Sequence, residues 1–173
     1  MDKLSKEKAI EWHRKMWNWI INRLINEPKL DVCELKILFF RIHKLDFITS
    51  SKNEEYDDPI ENYCFCCEYA FHQANPDIYK PGFEKYLPGT TFTYCSHCPL
   101  LWGTENTVDE FYCERGMYSE YAYLISYEDN TTGLWQLIHY AEEIGLTPEE
   151  KIKIAKQIAN LPERTHYESK NSD

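Results

Sequence analysis

The chain has 173 residues, enough for one compact domain with a substantial buried core. It carries 29 acidic and 19 basic residues, and the resulting net charge of −10 disfavours non-specific binding to nucleic acid. Aromatic residues make up 15% of the chain, a share that argues against general disorder.

Neither a secretory signal nor a membrane span is visible in the sequence. The charged beginning is not followed by an apolar segment of the length that a signal needs, and no run approaches ~18 apolar residues. We therefore expect a reducing cytoplasm, where clustered cysteines bind metal more often than they form disulfides. The seven cysteines agree with this expectation, because an odd number cannot pair completely.

Helical periodicity is clearest near the N-terminus. Residues 5–27 have the apolar spacing of a helix, with Ser5 as its N-cap and Pro28 at its end. A second helix is predicted from an N-cap at Asp31 to about Lys44. The short break between the two helices favours an antiparallel hairpin.

Two further helices are predicted in the C-terminal part. Apolar residues from 134 to 144 have helical spacing, and Gly145 closes that helix. Thr147 begins a capping box with proline at the first helical position, and the helix that follows stops at Pro162. Residues 163–173 are polar and are predicted to form a flexible tail.

The segments between these helices are less regular. Residues 50–62 are rich in acids and predict a solvated loop, with a patch for a basic partner as the alternative. Residues 75–93 also predict a loop, with a small β-hairpin near residues 89–95. The Tyr-rich stretch at 118–127 fits a helix better than a strand.

Two Cys-x-x-Cys pairs carry the clearest chemical signal. Cys64 and Cys67 form the first pair and Cys95 and Cys98 the second, with 27 residues between them. A two-residue spacer lets both thiolates of one turn face the same ion, and four thiolates in a tetrahedral array suit Zn²⁺. We predict one structural zinc ion that clips two loops together.

The ligand assignment stays open at three positions. Cys66 can replace a neighbour in the first pair, His97 can displace Cys95, and Cys113 is a fifth candidate. An iron–sulfur centre and unligated packing cysteines are the alternatives to zinc. Cys33 has no cysteine neighbour and is interpreted as a small core hydrophobe.

Together these signals predict a mainly α fold. An N-terminal helical hairpin and a bundle of short helices form a single domain over residues 1–162, with the zinc-clipped irregular loops between them. Motifs for zinc deaminases, zinc proteases, serine hydrolases and phosphate-binding loops are absent from the sequence. A non-enzymatic protein is therefore expected, with an unrecognised metalloenzyme as an alternative.

Several short segments of the chain occur in a characteristic order. The segments EWHRKMWNWI, CFCCEYA, CSHCPLLWG, CERG and IAKQIANLP follow one another along nearly the whole chain. In this order of segments, the chain resembles small cysteine-rich proteins of tailed bacteriophages. The match places Cys66 in a spacer position, which supports Cys64, Cys67, Cys95 and Cys98 as ligands. The resemblance implies a phage product that acts in the host cytoplasm, with counter-defence as the expected role.

The expected activity is to bind and sequester a host protein or a small signalling nucleotide. A regulatory zinc protein that binds nucleic acid is the alternative, opposed by the negative charge. Aromatic side chains beside a cation suit a stacking pocket, and the local candidates are Arg115, Tyr112, Tyr118, Tyr121 and Trp102. A surface arginine beside core tyrosines explains the same residues without a ligand. A homo-oligomer is compatible with the sequence.

Overall fold

The computed structural model describes one range near each end of the chain and two short central segments. The described residues are 4–43, 64–74, 97–102 and 134–164. They form five helices, in chain order α1 (Lys6–Asn26), α2 (Val32–His43), α3 (Phe65–Ala74), α4 (Leu134–His139) and α5 (Pro148–Ala159). The prediction of a mainly α fold is confirmed, and these described residues contain no β-strand.

Helix α1 begins and ends where the local signals predict. The Ser5 side chain accepts a hydrogen bond from the Lys8 backbone N–H at 3.2 Å, which satisfies one of the unpaired donors of the first turn. The buried face of the helix follows the apolar spacing and consists of Ala9, Ile10, His13, Met16, Trp17, Ile20, Ile21 and Leu24. His13 is the one polar side chain in that set.

Helices α1 and α2 form the predicted antiparallel hairpin. Asp31 accepts a hydrogen bond from the Glu34 backbone N–H at 2.9 Å and so caps α2 as expected. Trp12 near the start of α1 lies 5.3 Å from His43 at the end of α2, measured between ring centroids. Trp12 also packs edge-on against Phe39 at 6.2 Å. The second helix therefore returns along the first.

Helix α5 forms the most extensive helix pair of the described residues with α1. Its predicted capping box is present, since the Glu150 N–H donates to Thr147 Oγ1 at 3.3 Å and the Thr147 N–H donates to Glu150 Oε2 at 2.8 Å. Ile154 and Ile158 are fully buried on its inner face. The core of the described residues thus lies mainly between α1 and α5.

Helix α4 is shorter than predicted. It ends at His139, and residues 140–145 continue as turns rather than as a regular helix to residue 144. The closure at Gly145 is confirmed, with a positive φ of 71°. The Leu146 N–H donates to Ala141 O at 2.9 Å and the Gly145 N–H to Glu142 O at 3.3 Å, a Schellman pattern.

The segment 97–102 lies against the chain that follows α5. The Leu101 N–H donates to Pro162 O, and the Arg164 N–H donates to Pro99 O, each at 2.9 Å. Glu163 pairs with Arg14 of α1 at 3.3 Å. Glu163 and Arg164, the first residues of the predicted polar tail, are thus held to the domain, and Cys98 is placed beside its core.

Several predictions fall outside the described residues. These are the acidic loop 50–62, the loop 75–93, the hairpin near 89–95, the Tyr-rich segment 118–127 and the tail beyond residue 164. In the described ranges, no helix combines the length and the apolar composition needed to cross a membrane.

Candidate metal centre

The first cysteine motif lies at the start of a helix. Cys64 immediately precedes α3, and its carbonyl oxygen accepts the first helical hydrogen bond from the Glu68 N–H at 3.0 Å. Cys66 and Cys67 belong to the first turn of α3. The predicted irregular loop is not confirmed at this motif, because Cys66 and Cys67 belong to a regular helix and Cys64 directly precedes it.

Three donor side chains converge at this point. One ring nitrogen of His13 and the sulfur atoms of Cys64 and Cys66 lie within 4.8 Å of one another. Ligand atoms around a tetrahedral zinc ion stand about 3.8 Å apart when the Zn–S bonds are about 2.3 Å. Small side-chain movements therefore bring this group, the metal cluster, to the dimensions of a zinc site.

The hydrogen bonding of His13 leaves one ring nitrogen ready to ligate. Nε2 lies 3.1 Å from the carbonyl oxygen of Ile158. Because a carbonyl only accepts hydrogen bonds, Nε2 carries the proton and Nδ1 carries the lone pair. Nδ1 is buried and has no hydrogen-bond partner, in a residue that is only 1% exposed. An imidazole N–H directed at a backbone carbonyl is the usual support of a metal-binding histidine.

Two more thiols border the metal cluster. Cys67 lies within hydrogen-bonding reach of Cys64, and Cys98 lies within reach of Cys66. Cys66 and Cys98 are buried, whereas Cys67 is half-buried. Including His13, five soft or borderline donors are therefore available around one point, one more than a tetrahedral ion needs.

The thiols influence each other electrostatically. Hydrogen bonds from Cys66 and then Cys67, with a smaller effect of His13, hold the pKa of the Cys64 thiol well below its usual range. Burial, reinforced by Cys64 and Cys98, raises the pKa of the Cys66 thiol. One thiolate thus opposes the ionisation of its neighbour. A bound cation is the ordinary means by which proteins hold several thiolates together.

Three of the four predicted ligands lie in or beside the metal cluster. Cys64 is a member, and Cys67 and Cys98 are its neighbours, while Cys95 lies outside the described residues. Of the alternatives, Cys66 is a member and His97 is half-buried near Cys98 in the chain. Cys113 lies outside the described residues.

His13 is the donor that the sequence reasoning missed. It sits on the buried stripe of α1, three residues after Ile10 and four before Trp17, at a position where an apolar side chain is expected. A polar side chain that is buried on an apolar stripe requires a polar partner. The histidine at this position is therefore the feature of the sequence that could have indicated a buried polar contact. The sequence does not identify the partner, because the cysteines lie more than 50 positions away.

The residues predicted to line a ligand pocket are mostly outside the described part of the chain. Arg115, Tyr112, Tyr118 and Tyr121 belong to residues 103–133, which the structure does not describe. Trp102 is described and is 4% exposed. Its ring packs edge-on against His13 at a centroid distance of 6.2 Å, so it forms an apolar wall beside the metal cluster.

Comparisons of the chain with protein-family models, with curated proteins and with solved structures give no significant match. The chemistry of the metal cluster therefore rests on its own donor atoms.

Proposed function

We propose that the chain is a zinc protein and that one Zn²⁺ is held by His13, Cys64, Cys66 and Cys98. His13 ligates through Nδ1, the buried nitrogen that has no hydrogen-bond partner, and this atom is the observation that carries the proposal. Thiolates with one imidazole are a common structural zinc set. Cys98 takes the fourth position because it is buried beside Cys66, and Cys67, half-buried like Cys64, is the alternative fourth ligand.

The proposed ion has a structural role. Four protein ligands close the coordination shell, so that no position is left for a substrate or an activated water. The ligands come from α1, from the start of α3 and from the segment 97–102, and the ion joins these three parts of the chain. A structural zinc site contributes roughly 10–16 kcal/mol of apparent binding free energy to folding.

The zinc-stabilised domain acts, on this proposal, by binding a target rather than by transforming it. The resemblance to phage proteins supports a counter-defence role in a host cell, and the absence of catalytic motifs from the sequence supports binding. The targets that fit the aromatic composition are a host protein and a small signalling nucleotide.

Metal analysis and cobalt substitution test the site. The full chain, purified in reducing buffer, should contain one zinc per molecule. The Co²⁺-substituted protein should show the visible bands of tetrahedral sulfur–nitrogen coordination, and these bands should shift toward those of a four-sulfur site in His13→Cys. A folded, reduced chain that binds neither metal would falsify the proposal. Cys33→Ser is the matched control, since this cysteine lies outside the metal cluster.

Ligand retention tests the binding activity. The purified chain is incubated with cyclic dinucleotides and ADP-ribose-type signals, separated from free nucleotide, and heat-denatured. Intact nucleotide in the supernatant supports sequestration, whereas a cleaved product identifies an enzyme. If no nucleotide is retained, a pull-down from host lysate tests whether the target is a host protein. Loss of the captured protein after zinc removal would show that its binding requires the zinc-stabilised fold.

A further inference from the structure

A second cysteine–histidine pair joins helices α2 and α4. Sγ of Cys33 lies 3.1 Å from Nδ1 of His139, a residue 106 positions away in the chain. Both side chains are half-buried, so a small molecule in solvent can reach them. The interpretation of Cys33 as a small core hydrophobe is therefore wrong. The pair is separate from the metal cluster, which contains neither residue.

The surroundings of the pair favour negative charge on the sulfur. Cys33 is the second residue of α2, where the helix dipole is positive. Lys36 lies on the same side of that helix and is 3% exposed, with Nζ 3.6 Å above the Trp135 ring. Trp135 in turn lies 5.7 Å from the ring of His139, one helical turn later. The Lys36 ammonium group thus packs on Trp135, whose ring neighbours His139.

Other charged or titratable groups lie near the pair. Asp31, just before α2, caps that helix by accepting from the Glu34 N–H, and Glu34 follows Cys33 in the first turn. Helix α4 carries no titratable side chain other than His139, and the ring of Tyr140, the next residue, lies 4.6 Å from the His139 ring between centroids. In the last turn of α1, Arg23 pairs with Glu27 at 2.9 Å. His139 is the base that directly contacts the thiol.

We propose that Cys33 and His139 form a nucleophilic pair that small soft electrophiles modify at the Cys33 sulfur. As the sulfur attacks, the thiol proton passes to Nδ1 of His139, which acts as a general base. With an alkyl iodide, the S–C bond forms, the C–I bond breaks, and iodide leaves with its electron pair. His139 then returns the proton to solvent. The step involves no change in redox state, and it does not depend on the proposed zinc ion.

The pH dependence of alkylation distinguishes an assisted thiol from an ordinary one. Zinc-loaded full chain is treated with iodoacetamide, and the rate at Cys33 is followed by peptide mass spectrometry. We expect the wild-type rate to rise much less than tenfold per pH unit between about pH 7 and 8.5, because the thiol proton passes to His139 instead of being lost to solvent first. An unassisted thiol gains about tenfold in rate per pH unit up to about pH 8.5, and that profile in the wild-type chain would overturn the proposal.

His139→Asn removes the base and keeps a polar side chain of similar size. We expect this variant to alkylate Cys33 at least ~10-fold more slowly than wild type at pH 7. The two rates should converge near pH 10, where thiols ionise without help. A rate ratio that is the same at both pH values contradicts assistance by His139. His43→Asn is the matched control, because it removes an imidazole from α2 that packs against Phe39 instead. The wild-type profile decides the matter even if His139→Asn does not fold.

Discussion

Nε2 of His13 lies 3.1 Å from the carbonyl oxygen of Ile158, which is 145 positions later in the chain. This contact between α1 and α5 fixes the imidazole tautomer and leaves Nδ1 for the cysteines of the metal cluster. The same carbonyl also accepts a hydrogen bond from the Leu161 N–H at 3.4 Å. The main helix pair of the core therefore orients a proposed zinc ligand, and metal binding is coupled to the packing of that pair.

The substitution His13→Leu should change stability in opposite directions with and without zinc. In the metal-free chain, leucine removes a buried nitrogen that has no partner, and we expect the free energy of unfolding to rise by about 1 kcal/mol. The carbonyl oxygen of Ile158 loses its contact with His13 but still accepts the hydrogen bond from the Leu161 N–H. In the zinc-loaded chain, the loss of a ligand should lower stability strongly. Urea unfolding with and without a chelator measures both effects, and a decrease of equal size in the two conditions contradicts ligation by His13.

The substitution Cys66→Ser should weaken zinc binding more than ~100-fold, because even a lost partner of a ligand costs ~10–100-fold in affinity. Competition with a chromogenic chelator measures this affinity. Cys33→Ser should leave the affinity unchanged, since Cys33 contacts His139 instead. Cys67→Ser tests the choice of fourth ligand: a small effect supports Cys98, and an effect as large as that of Cys66→Ser assigns Cys67.

The capping box of α5 should make stability depend on pH. The Thr147 backbone N–H, and then its side chain, lower the pKa of Glu150 below its usual value of 4.5. A carboxylate whose folded-state pKa is lowered stabilises the fold above the unfolded-state pKa, and this contribution disappears as the pH falls through the folded-state value. The stability difference between wild type and Glu150→Gln should therefore shrink below about pH 4.5.

A double-mutant cycle isolates this contribution. Thr147→Ala alone should cost about 1 kcal/mol at neutral pH, as expected for the loss of an N-cap. Glu150→Gln should cost less in the Thr147→Ala background than in wild type, because the carboxylate has lost the hydrogen bond from the Thr147 hydroxyl and keeps only the one from the backbone N–H. Additive losses in the double variant would show that the two residues act separately. Thermal unfolding followed by circular dichroism suffices for the measurement.

The substitution Gly145→Ala should destabilise the turn between α4 and α5. Gly145 has φ of 71°, and a Cβ atom placed there meets nothing within 4 Å, so the cost comes from the backbone alone. A left-handed conformation costs roughly 1–2 kcal/mol for an ordinary residue. Gly145→Asn should cost less, since asparagine tolerates this conformation. Equal losses for the two substitutions in denaturant unfolding would contradict this explanation.

Much of the helical structure was predictable from short stretches of sequence. Ser5, Asp31, Thr147 and Gly145 mark helix ends because each cap involves atoms within about four residues of it. The mainly α fold and the hairpin follow from apolar spacing and a short connection. The exception is α4, where the spacing continues to residue 144 but the regular helix stops at His139. Spacing shows which side is buried and does not show where the backbone leaves the helix.

The site depended on tertiary structure. From the sequence, Cys-x-x-Cys spacing indicated that thiols gather around a metal, because both members of a pair lie on one turn. Only the packing of α1 against α3 and α5 brings His13 to those thiols, and only the contact of α2 with α4 places Cys33 beside His139. These partners lie 51 to 145 positions apart. Local sequence determines which side chains are buried, whereas the folded chain determines which buried side chains meet.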